Sequence, residues 1–132
     1  MSHAWGLDQG FDVYHDPFHP RDLLKVAAFG EAQLPWNEVL NVAKTWWKNQ
    51  EKESSDVPKF AWVHLYDPHT PWEPPKGWEG DPYRGEIAKV DRWLGDLFAL
   101  SDDAWVIVTS DHGESLWEHG EREHGVLLHR SV

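Results

Sequence analysis

The sequence predicts an α/β domain, with parallel strands of one sheet and helices covering them. Three observations predict it. Trp105-Val-Ile-Val-Thr109 is an unbroken apolar, largely β-branched run, and residues 60–66 (Phe-Ala-Trp-Val-His-Leu-Tyr) form a second run of the same kind. Neither run keeps the strict alternation of a strand with one wet face, so each reads as buried on both sides. Between them, Ile87, Val90, Leu94 and Leu97 recur at helical spacing and Phe98 widens the stripe, which predicts a helix over 85–100. A strand–helix–strand unit joins parallel strands through a right-handed crossover. Its two strand ends then share one edge, where open α/β sheets bind ligands.

The elements follow in chain order. Residues 6–14 are short and Gly-punctuated and read as a loop with at most one brief strand. Residues 15–22 carry Pro17 and Pro20 and read as loop. A helix is expected from about Pro35, because Trp36, Val39, Leu40, Ala43, Trp46 and Trp47 fall on one face, with Pro35 in the first turn. Residues 51–56 are charged and polar, a solvated end and linker. The 60–66 run ends in Asp67-Pro-His-Thr-Pro-Trp72, a turn by its two prolines. Residues 73–84 are rich in Pro, Gly and Trp and read as an ordered surface loop. Tyr83, Gly85 and Glu86 are expected at the helix entry, where a carboxylate meets the positive end of the dipole. The 104–109 strand then runs into Ser110-Asp-His-Gly-Glu114, with Gly113 allowing a sharp exit.

Composition narrows the function. The 132 residues are one modest domain. With 23 acidic against 12 basic residues the net charge is −11, which disfavours a nucleic-acid partner. No stretch approaches the ~20 apolar residues of a membrane span. No leader is expected, since the first residues lack a basic start and an apolar segment. There is no Cys, which excludes disulfides and cysteine-held zinc. Ten Trp suit packing or a carbohydrate-like surface equally; Trp72 and Trp78 are candidates for a sugar-facing rim. Two strands are fewer than the ~5–6 of an ordinary sheet. Residues 1–132 are therefore expected to be an incomplete domain, without its N-terminal part and its closing C-terminal elements.

Asp111 and His112 are the leading site candidates. A carboxylate and an imidazole at a strand end can bind a divalent metal. His119, His124 and His129 follow, among Glu114, Glu118, Glu121 and Glu123; the plain alternative is a solvated acidic loop. His69, fixed between prolines, suits a general acid or an anion-binding group, or simply a hydrogen bond to its own turn. Asp91 borders the helix stripe and reads as a cap for a neighbouring loop. Familiar protease patterns fail. There is no His-Glu-x-x-His and no Gly-x-Ser-x-Gly, and the consecutive Ser110, Asp111 and His112 cannot stack into a triad.

Four motifs in order resemble the sulfatase family of the alkaline-phosphatase-like superfamily. They are Gly6-Leu-Asp-Gln-Gly-Phe-Asp-Val-Tyr14, Trp62-Val-His-Leu-Tyr-Asp-Pro-His-Thr-Pro-Trp72, Tyr83-Arg-Gly-Glu-Ile-Ala-Lys-Val-Asp-Arg-Trp-Leu-Gly95, and Val108-Thr-Ser-Asp-His-Gly-Glu-Ser115 through Glu123-His-Gly125. The resemblance implies a partial alkaline-phosphatase-like fold and a metal-dependent hydrolase of sulfuric esters. It implies Asp111 and His112 as the late pair of metal ligands, where the family often has Asn second. It implies His69 as the residue that contacts the ester and protonates the leaving group, and His124 as a basic group near the anion. The implied substrate is a sulfated small molecule or carbohydrate. The implied metal is calcium, with manganese, iron or zinc admitted by the imidazole of His112.

The departures are specific. The family's Cys/Ser-x-Pro-x-Arg nucleophile motif is absent, and so is its early pair of metal-binding Asp. The chain therefore matches a middle-to-late segment of the catalytic domain and is expected by itself to turn over no sulfate ester. The Asp-His pair keeps open a phosphoesterase or phosphonate hydrolase of the same superfamily. The missing nucleophile keeps open a non-catalytic metal-binding remnant.

Overall fold

The computed structural model describes residues 3–16, 34–53, 56–100, 102–121 and 124. They contain a 3-10 turn at His3–Trp5 and two α-helices, α1 (Trp36–Lys52) and α2 (Pro82–Phe98). His129 and most of the 15–22 loop lie outside the described residues.

α1 starts one residue after Pro35, whose extended backbone makes it the cap rather than part of the first turn. Glu38 in the first turn and Lys52 in the last complement the helix dipole. Leu40 is 2% exposed and is the buried hydrophobic side chain of the described core. Trp36 stacks flat on Trp93 of α2. Lys44 reaches Asp96 at 3.0 Å, but Asp96 is largely in water, so that pair adds little stability.

α2 begins three residues before the expected Gly85. Asp81 caps it by accepting the Arg84 N–H at 3.0 Å, and Pro82 takes the first position, where no N–H is needed. Tyr83, Gly85 and Glu86 therefore sit within the helix, and its first turn holds no acidic residue. A Cβ on Gly85 would stand 2.6 Å from Pro74 Cβ and 2.8 Å from the Trp78 ring. The glycine is what lets the 74–78 loop lie directly on α2. Trp78 is tied there by its Nε1–H, which donates to the Asp81 carbonyl at 2.9 Å. Trp72 lies beside Tyr83. Both aromatic rim candidates are thus packed at the α2 entry.

The expectation of parallel strands is overturned. Among the described residues there is no strand. Residues 60–66 and 104–109 carry no ladder. Their exposure is the reverse of burial on both faces: Trp105 is 100% exposed, Ile107 89%, and Phe60 71%. The physical reason is that an apolar, β-branched run favours extended φ and ψ but cannot satisfy its own backbone. A strand exists only when a neighbour takes those N–H and C=O groups. The partial alkaline-phosphatase-like architecture fails on the same ground. Among the described residues, the other buried side chains are polar, those of Glu86, Glu114 and Ser115, and Gly85 is buried with them.

Candidate functional site

The candidate site collects around His124, which is half-buried, with His112 exposed beside it. Its ring lies 4.0 Å from that of His112 and 5.4 Å from that of His69, centroid to centroid. The three imidazoles meet without the sheet that was expected to align them. Two loops carry them instead, the proline turn at 67–73 and the segment from Asp111 to His124.

Each imidazole is held by its Nδ1. That of His69 lies 2.7 Å from the Thr70 carbonyl, and that of His112 lies 2.6 Å from the Gly113 carbonyl. That of His124 lies 3.1 and 3.3 Å from the two oxygens of Glu114. A carbonyl or carboxylate oxygen only accepts, so Nδ1 carries the proton in all three rings. Nε2 is then the lone-pair nitrogen of the neutral form and the second donor of the charged one. Tyr66 packs its ring on His69, 4.3 Å between centroids.

The lower loop is closed on itself. The Ser115 hydroxyl donates to the Glu121 carbonyl at 2.8 Å, and the Trp117 N–H donates to the same carbonyl at 3.0 Å. The Ser115 N–H donates to Glu114 at 3.2 Å. These bonds put the Glu114 carboxylate, 4% exposed, under His124.

Asp111 is placed differently. Its carboxylate is 84% exposed, accepts the His112 backbone N–H at 3.1 Å, and stands 3.8 Å from His112 Nε2. It also lies near enough to His64 to oppose the local desolvation that pushes that imidazole below its ordinary range. His119 is exposed, and so is Asp91. Among the described residues no group of three or more His, Asp or Glu is arranged to hold a metal ion. Asp111 and His112 offer two donors, and two donors do not complete the six to eight oxygens calcium takes or the four ligands of zinc. The residues described thus do not by themselves fit the metal that the resemblance implies.

Behind His69 is a polar cavity of ≈ 80 Å³, lined by Tyr66, Asp67, His69, Pro71, Glu73 and Glu86. The Tyr66 hydroxyl and Glu86 Oε2 are buried there without a protein partner. Burial pushes the Glu86 carboxyl above its ordinary range, and the Glu73 N–H and the Lys89 ammonium only partly offset this. Burial also raises Tyr83, with Glu114 and Asp81 adding to it. The sequence named Glu114 only among the acidic residues around the histidines and Glu86 only at the helix entry, and Tyr66 and Lys89 had no role in it. Only Glu86–Lys89, a pair three apart on a helix, left a legible signal.

The Glu86 shift has a stability consequence. The unfolded chain loses this proton near 4.5, and the folded chain holds it to higher pH. The folded state binds more protons in that window, so this contribution is full below the window and is lost as pH rises through it. Urea unfolding of the wild type and of Glu86→Gln at pH 4 and pH 7 should show the wild type losing more stability than the variant. Parallel changes would remove Glu86 as the cause.

A family model described as Sulfatase matches residues 8–129 of the chain. No curated protein and no solved structure matches it.

Proposed function

The chain belongs to the sulfatase family, and from that we propose that its histidine cluster handles the ester anion of a sulfuric ester hydrolase. The observation that carries this is the meeting of His69, His112 and His124 with every Nδ1 already committed to an oxygen. Protonated imidazoles so fixed present Nε2–H donors to an oxyanion, and fixed donors need no reorganisation when charge develops. His69 holds the position of a general acid, its Nε2 turned to the ester oxygens while the Thr70 carbonyl keeps the ring fixed. His124 turns its Nε2 to the anion, and Glu114 fixes the ring by accepting from Nδ1. The resemblance assigns Asp111 and His112 to a divalent metal, but the described residues complete no shell for one; with its Nδ1 held by the Gly113 carbonyl, His112 serves the anion through Nε2–H. No Cys and no Ser-x-Pro-x-Arg is present to serve as nucleophile. The activity of this chain is therefore proposed to be anion binding without turnover.

The test is a titration of the protein with inorganic sulfate and an aryl sulfate, followed by the imidazole Cε1–H resonances. Saturable shifts at His69, His112 and His124 are expected, with His119 unmoved. If all histidines respond alike, or none do, the anion reading fails. The Asp-His pair also keeps a phosphoester reading open, so an aryl phosphate arm is run beside it. Tighter binding there would move the substrate class to phosphoesters.

A further inference from the structure

His69 sits on a loop whose aromatic packing on α2 is at Trp72, beside Tyr83, three residues further along. The space beneath residues 67–73 is the polar cavity of ≈ 80 Å³, with no apolar side chain except Pro71 in its wall. A ring over such a space is fixed only if its loop is fixed from elsewhere.

Two side chains of α2 supply the hold. Glu86 Oε1 accepts the Glu73 backbone N–H at 3.2 Å, and Lys89 Nζ donates to the Glu73 carbonyl at 2.7 Å. Glu73 therefore has both its backbone groups taken by side chains one turn apart on a helix, as a neighbouring strand would take them. The same ammonium stands 3.2 Å from Glu86 Oε1 and 3.6 Å from Asp67 Oδ1. Asp67 opens the loop and Glu73 closes it, so Lys89 ties both ends. The pair is well shielded: Glu86 is 3% exposed, Lys89 15% and Asp67 17%. Shielding strengthens charge-assisted bonds of this kind. The Lys89 ammonium also lies over the Trp93 ring, 5.1 Å from its centroid, which limits where the side chain can go.

We propose that Glu86 and Lys89 are positioning residues for His69, holding the 67–73 loop on α2 and so setting where the ring stands against His124 and an incoming anion. This rests on the reading of His69 as a site residue. It extends that reading to two residues that touch neither substrate nor the reacting atoms.

The test uses the full chain and two spectroscopic readouts. The first is the His69 Cε1–H resonance, which carries the ring current of the adjacent Tyr66, tilted 32° to it. The second is the shift of that resonance with inorganic sulfate. Lys89→Met should move the His69 signal toward that of an imidazole away from Tyr66 and weaken its sulfate response on the order of tenfold. His112 should keep its own response. Glu86→Gln keeps the acceptor for Glu73 and should retain the His69 signal, whereas Glu86→Ala should lose it. Lys89→Met with an unchanged His69 signal would overturn the proposal. If that variant fails to fold, the wild-type protein decides by hydrogen exchange. The Glu73 amide should be protected relative to the exposed Lys76 amide, and equal rates would overturn the clamp. A moved His69 signal in a protein whose histidines ignore sulfate would support the clamp while sinking the anion reading.

Discussion

His124→Ala should lower the unfolding free energy by about 1–3 kcal/mol, the cost of leaving a buried acceptor without its hydrogen-bond partner. The loss is not mainly that of the contact. Glu114 is 4% exposed, and its oxygens lie 3.1 and 3.3 Å from His124 Nδ1. Alanine leaves that carboxylate in the interior with only the Ser115 N–H at 3.2 Å. That remaining bond, and the 26% exposure of the His124 side chain, place the effect at the low end. Glu114→Gln removes the charge and keeps an acceptor, so it should cost less. The double variant should be more stable than the sum of the two single effects allows, because the stranded charge is gone. Urea unfolding of the four proteins measures this. Strict additivity would mean that Glu114 and His124 do not act as a pair. The same alanine removes the ring between His69 and His112, so the sulfate response of both should fall with it.

Leu40→Ala should cost about 2–3 kcal/mol, within the 2–5 kcal/mol range for emptying a buried leucine site. Leu40 is 2% exposed, the buried hydrophobic side chain of a described core whose other buried side chains are those of Glu86, Glu114 and Ser115. Its neighbours on α1 and α2 are largely half-buried and can move inward, which holds the cost to the lower half of the range. Against a total stability of about 5–15 kcal/mol for ordinary domains, the loss is large. It should appear as a lower urea midpoint at unchanged slope. A loss below about 0.5 kcal/mol, the scale of surface substitutions, would show that the Leu40 site is not a packed core position.

Helical periodicity was legible, and so were three histidines whose rings come together. The spacing of Trp36, Val39, Leu40 and Ala43 placed α1 to within one residue. The stripe from Ile87 to Leu97 placed α2, although its start moved upstream because Asp81 and Pro82 provide a cap and a first turn that no apolar spacing records. A helix satisfies its own backbone locally, which is why local sequence suffices to find it. His69, His112 and His124 were each singled out from the chain, and their rings do meet.

The sequence by itself determined the two helices, the acidic balance of −11, the absence of Cys and the sulfatase motifs that the family match spans over 8–129. Only the tertiary structure decided whether the apolar runs at 60–66 and 104–109 pair, and among the described residues they do not. Only it could show Glu114 beneath His124, ten residues away, or Glu86 and Lys89 closing on Glu73. The physical reason is the same in each case. A strand, a buried carboxylate and a clamped loop all depend on a partner distant in sequence, and no local pattern of residues carries the identity of that partner.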